Sequence, residues 1–152
     1  NTLVIMTDHH NVKQSNGAKL LEQARKVAII DHHRKMEEFI ENPTLAYMES
    51  YASSTCELVT EILLYMGGKK SLVKLEAEAL LAGMTIDTNG FAVRTGVRTF
   101  EAAAWLRRQG ADPTEVKRFF QKDPLTFQIH AQGLASARFF ENIPIPGWPK
   151  CR

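Results

Sequence analysis

Two identical tripeptides, Asp8-His9-His10 and Asp31-His32-His33, hold four of the five histidines in the chain. A third acid, Asp87, closes the short apolar segment Met84-Thr85-Ile86. Carboxylate oxygen and imidazole nitrogen are the donors that Mn²⁺, Fe²⁺, Co²⁺ or Zn²⁺ accept. One carboxylate can bridge two such ions ~3.5–4 Å apart, where they activate water against a phosphorus centre. A single Asp-His pair would read as polar residues at a strand end and nothing more. Two copies in matching positions favour a metal site.

Each triplet follows an apolar run, Leu3-Val4-Ile5-Met6 and Val27-Ala28-Ile29-Ile30. Such runs predict strands buried on both faces, as in a parallel sheet. A helix over Ala18 to Arg25 joins them into a β-α-β unit, and Leu45 to Met48 reads as a further strand. Ligands bind beyond the carboxyl ends of parallel strands, which places both triplets at one edge. Downstream, Ser54-Thr55-Cys56-Glu57 is a capping box opening a helix that Gly67-Gly68 stops. Ser71 caps the next helix, which leads into Met84 to Asp87. Further helices are expected from Arg98 to Gln109, after Asp112-Pro113, and from Pro124 to Phe140. The pattern predicts an α/β fold, a parallel sheet flanked by helices, over residues 1–142, with 143–152 a linker or tail.

Composition narrows the classes. The 152 residues are 44% hydrophobic and 24% charged, the mixture of one globular domain. A net charge of +2 is too small to argue for duplex nucleic acid. Two cysteines, Cys56 and Cys151, make no disulfide framework, so a reducing, cytoplasmic compartment is expected. No apolar stretch approaches the ~18 residues of a membrane span.

Val27 to Arg34, containing Asp31-His32-His33, resembles the signature of the DHH phosphoesterase superfamily. Tyr51 to Val59 and Leu81 to Phe91 resemble its next two motifs, and Arg94 to Pro113 is similar to the membrane-tethered cyclic-di-AMP phosphodiesterase branch. The resemblance runs from Leu3 to about Asn142. It implies a Rossmann-like DHH domain and a Mn²⁺-dependent, two-metal enzyme, with Fe²⁺ or Co²⁺ as substitutes. The implied reaction opens cyclic-di-AMP to linear pApA. Carried over position by position, Asp8 is the bridging acid, and His32 and Asp87 are further metal ligands. His33 is the proton donor or charge stabiliser near the phosphate, and Asp31 is the carboxylate that orients an imidazole. His9 and His10 stay open between supporting groups and exposed strand-end residues. The superfamily's other activities, on oligoribonucleotides or nucleotide phosphates, are the nearest alternatives. A non-catalytic metal- or nucleotide-binding module is the third.

Two departures from the family carry expectations. No His-and-Asp motif precedes Leu3, and no Gly-rich substrate domain follows, so the chain reads as the central part of a larger enzyme. It is then expected to be inactive alone, to need those missing parts, and to pair as a homodimer through an uncovered first strand. Arg94 and Arg98 are candidates for holding substrate phosphate, because guanidinium pairs bidentately with its oxygens. Ser53 and Ser54 could meet an anion at a helix start, although capping alone explains Ser54. Trp105, Phe119 and Phe120 read as core, and Cys56 as inert packing.

Overall fold

The computed structural model describes residues 2–12, 17–36, 39–66, 72–140 and 143–145. The first of two compact units, Asn1–Lys117, opens with β1 (Leu3–Thr7), α1 (Ala18–Gln23), β2 (Lys26–Asp31) and β3 (Leu45–Met48). These strands form a parallel sheet in the order β1-β2-β3. The register sets Thr7 against Ile30 and Asp31 against Met48, so all three strands finish on one edge. Asp8, His32 and Glu49 are the first residues beyond it.

The parallel sheet and its crossover helix agree with the sequence pattern, but the burial differs. Ala28 and Ile29 on the central strand are buried, whereas Leu3 and Ile5 on β1 are 53% and 58% exposed. An apolar run reports strand propensity, not which faces are covered.

Four helices complete this unit: α2 (Thr55–Tyr65), α3 (Lys74–Asp87), α4 (Val97–Arg108) and α5 (Pro113–Arg118). Ala77, Leu81 and Met84 of α3 pack with Ala102 and Leu106 of α4 and Val116 of α5 into the helical core, with Trp105 against it. Ser54 caps α2, its Oγ accepting the Glu57 amide at 3.0 Å. The short apolar segment from Met84 to Asp87 is the last turn of α3 itself, so Asp87 reaches the site from a helix. Residues 67–71, including Gly67-Gly68 and Ser71, lie outside the described residues. The α3 start is held instead by Glu76, whose carboxylate accepts the Val73 amide at 3.0 Å.

Arg98, at the start of α4, ties this helix to the rest of the unit. Its Nε and Nη2 donate to Glu61 on α2 at 2.8 and 2.6 Å, and its Nη1 and Nη2 donate to Glu49 beyond β3. Hydrogen bonds from Arg98 hold the Glu49 carboxyl below its usual range, against the opposing effect of burial. A depressed carboxyl stabilises the fold above its unfolded pKa and loses that contribution as pH falls through the folded value. Arg98→Ala is therefore expected to cost roughly 1 kcal/mol near neutrality, the upper range for exposed pairs. That difference in melting temperature should shrink below ~pH 4, as Glu49 protonates in both proteins. Thermal melts at the two pH values check it, and a constant difference would contradict the ion-pair account.

The second unit, Arg118–Arg152, contains α6 (Pro124–Ala135) and an antiparallel pair, β4 (Arg138–Phe140) with β5 (Ile143–Ile145). The last helix thus ends short of Phe140. Ser136 closes it by donating Oγ–H to the Gln132 and Gly133 carbonyls, and Ile143–Ile145 is strand rather than tail. Phe119 and Phe120, expected in the core, are exposed. Among the described residues no helix is long and apolar enough to cross a membrane.

Candidate metal centre

Asp8 leaves β1 with a φ of +66°, a left-handed conformation that Asp tolerates better than most residues. Its amide still donates to the Ile30 carbonyl at 3.0 Å, and its Oδ1 accepts from Thr55 Oγ1 at 2.9 Å. The first residue of α2 therefore pins the carboxylate at the sheet edge. Thr55 carried no signal in the sequence beyond its place in the capping box.

His32 is buried with its Nδ1 3.4 Å from the Ala52 carbonyl. A carbonyl only accepts, so Nδ1 carries the proton and Nε2 presents a lone pair. That Nε2 lies 3.5 Å from Asp8 Oδ1 and 3.8 Å from Asp87 Oδ2. Two donors bound to one ion at ~2.0–2.2 Å lie about 3–3.6 Å apart at ordinary coordination angles, so this cluster has nearly the right spacing. The donor set fits a divalent cation such as Mn²⁺, Fe²⁺ or Co²⁺. Burial, with a smaller contribution from Asp8, holds the Asp87 carboxyl above its usual range despite the opposing effect of His32. A bound cation would reverse that direction.

His33 lies beside this cluster. Ligand atoms of Asp8, His32 and His33 fall within 4.8 Å of one another. The Nδ1 of His33 is 2.7 Å from Asp31 Oδ1, which also accepts the His33 amide at 3.1 Å. The Nε2 is left as the working nitrogen on a half-exposed ring. Asp31 is fully buried, and burial pushes its carboxyl up. Hydrogen bonds from His10 and His33 outweigh that, so it sits below its usual range and is a carboxylate. The side chain of His9 turns back on its own strand, Nδ1 2.9 Å from the Thr7 carbonyl, and its buried Nε2 has no hydrogen-bond partner among the described residues.

A cleft of about 670 Å³ opens over His32 and His33, walled by Arg34, Tyr51, Arg94 and Thr95. Arg94, one of the two arginines singled out in the sequence, is thus placed on it, with a φ of +51°. Arg34 and Tyr51 were missed as wall residues, although both fall inside motifs. The other candidates have different work. Arg98 is committed to Glu49 and Glu61. Ser53 and Ser54 are buried: Ser53 donates Oγ–H to Glu57 at 2.5 Å, where Thr99 also donates, and Ser54 caps α2. Both serine hydroxyls are thus engaged by Glu57, one with its carboxylate and one with its amide. Cys56 is half-buried with its thiol pushed up to about 11 by burial and by the charges of Asp87 and Asp8, which agrees with inert packing.

Residues 1–84 match the DHH family, N-terminal domain. The cyclic-di-AMP phosphodiesterase GdpP of Geobacillus thermodenitrificans is 46% identical over 141 residues, 93% of this chain and 21% of that protein. The cyclic-di-AMP phosphodiesterase PdeA of Listeria monocytogenes is 40% identical over 141 residues, 93% of this chain and 22% of that protein. The chain thus spans about a fifth of the length of these relatives. Among solved structures, an exopolyphosphatase-related protein from Bacteroides fragilis shares the fold, with a TM-score of 0.79 at 21% identity over 91% of this chain and 42% of that one.

Proposed function

The chain belongs to the DHH family, and on that premise we propose that it carries the metal-binding half of a site that hydrolyses cyclic-di-AMP to pApA. The observation that carries this reading is the approach of two carboxylates, Asp8 from the end of β1 and Asp87 from the end of α3, to the Nε2 of His32. The names of the two relatives support the substrate. Asp8, His32 and Asp87 are the residues that would hold the divalent cation, with Mn²⁺ the first choice. When bound, such a cation lowers the pKa of water and neutralises charge that develops on phosphate.

The chain's own groups do the rest. Arg94 and Arg34, on the cleft wall, pair with the phosphate oxygens and hold the scissile diester against His33. His33 donates a proton from Nε2 to the departing sugar oxygen as the oxygen of a hydroxide bonds to phosphorus and the ester P–O bond breaks, so the leaving group departs as an alcohol. Asp31 stabilises that ring through Nδ1 while it carries the positive charge.

The test is release of pApA by the natural full-length protein with Mn²⁺ present, against short oligoribonucleotides and mononucleotides as competing substrates. Preference for a competitor would overturn the substrate, and no hydrolysis of any of them would overturn the reaction. The 152-residue polypeptide alone is expected to release no pApA above background. Among the described residues, the donors that converge suit one cation, whereas the two-metal mechanism needs a second set. Robust turnover by this polypeptide would show that one set suffices.

Self-association belongs to the same reading. The exposed Leu3 and Ile5 lie on an edge strand, and such edges pair with another chain. Sedimentation is expected to show a dimer that Ile5→Lys converts to monomer. A monomer at every concentration would contradict it.

A further inference from the structure

His10 takes no part in the metal centre, yet it is 2% exposed and both of its ring nitrogens are engaged. Its Nε2 accepts the Met36 amide at 3.0 Å. An amide N–H can only donate, so Nε2 carries no proton and the ring proton is on Nδ1. That Nδ1–H donates to Asp31 Oδ2 at 2.5 Å. The ring of Phe39 lies against His10, with centroids 5.8 Å apart. The other carboxylate oxygen of Asp31, Oδ1, holds His33. One buried carboxylate therefore connects two imidazoles, one sealed inside and one at the cleft.

We propose that His10 is a positioning residue for His33, acting through Asp31; this rests on the reading of His33 as the proton donor. The carboxyl torsion of Asp is broad, so an Asp held through one oxygen can swing. Asp31 is fully buried, so a carboxylate oxygen that loses its donor there carries the full desolvation cost. The Nδ1–H of His10 fixes Oδ2 and so aims Oδ1 at His33. The Met36 amide sets which nitrogen of His10 donates, and it also ties the segment after His33 back to the end of β1. This explains why a second histidine stands two residues after Asp8 while the ring at position 9 turns away to Thr7.

Three substitutions in the natural full-length protein separate the roles. His10→Asn places an amide N–H near the Nδ1 position and keeps the donor to Asp31. His10→Gln reaches the Nε2 position and keeps the acceptor for Met36 but not that donor. His10→Ala keeps neither. The expected result is a roughly 10–100-fold loss of kcat in the Gln and Ala variants, partial rescue by Asn, and unchanged KM and Mn²⁺ affinity. Rescue by Gln and not Asn would overturn the proposal, because the ring would then only anchor Met36. So would normal kcat in all three variants, or a change confined to KM. His33→Ala serves as control: if it leaves kcat intact, the proton-donor reading fails. If it lowers kcat and the His10 variants do not, only the present inference fails. Ring ¹⁵N NMR of the unsubstituted protein needs no variant to fold. It should show His10 as the Nδ1–H tautomer, and an Nε2–H tautomer would overturn the proposal.

Discussion

Replacing His33 with alanine in the natural full-length protein is expected to cut turnover ~10²–10⁴-fold, the usual worth of a general acid, while Mn²⁺ binding survives. Replacing its neighbour His32 is expected to abolish both. The two rings lie with centroids 4.4 Å apart, so proximity to the metal does not separate them. Their hydrogen bonds do. A neutral backbone carbonyl, that of Ala52, takes the Nδ1 proton of His32 and leaves Nε2 among two carboxylates. A buried carboxylate, Asp31, takes the Nδ1 of His33, and this stabilises the charged ring a proton donor requires. Metal content and rate measured together on both variants decide the matter. Equal metal loss would mean that both rings ligate, in keeping with the closeness of His33 to Asp8 and His32.

The second large effect lies in the packing that delivers Asp87. Gly83 faces Cys56 across α2 and α3, where an added Cβ would stand 2.3 Å from the Cys56 sulfur. Gly83→Ala must therefore displace the Cys56 sulfur, and the remaining tight approach to the Cys56 Cβ is expected to push α3 from α2, at a cost of roughly 1–3 kcal/mol. For a chain of this size that lowers the melting temperature by about 2–4 °C per kcal/mol. Gly83 stands one turn before Asp87, and Cys56 follows the Thr55 that pins Asp8. The same displacement should then weaken Mn²⁺ binding as well. Cys56→Ala removes the sulfur and leaves a tight contact of 3.3 Å to Cβ, so the double variant is expected to recover part of both losses. Additive losses in the double variant would show that this contact does not set the helix spacing.

The strand-end chemistry was legible because it is local. Val- and Ile-rich runs mark β1 and β2, and Asp8 and the 31–33 triplet follow them directly, so one sheet edge was foreseeable. Asp87 was recognised as a ligand candidate, but its element was left unassigned: four residues such as Met84 to Asp87 are too few for periodicity to separate helix from strand. Arg98 shows what sequence conceals. A guanidinium near a helix start looks the same whether it meets phosphate or carboxylate, and its partners Glu49 and Glu61 lie 49 and 37 positions away. Ser53 turned inward for a similar reason, since nothing local announces that Glu57 is buried and needs donors. The pairing of His10 with Asp31 spans 21 positions and became visible only once β1 and β2 were in register.

The account stands on Asp8, His32 and Asp87 holding one divalent cation. The direct measurement is a Mn²⁺ titration of the 152-residue chain, following the free-ion paramagnetic resonance signal, beside Asp8→Asn, His32→Ala and Asp87→Ala. The account predicts saturable binding by the unsubstituted chain and a loss of at least about tenfold in affinity for each variant, with folding retained by circular dichroism. Equal affinity in all four proteins, or no binding by the unsubstituted chain, would contradict it.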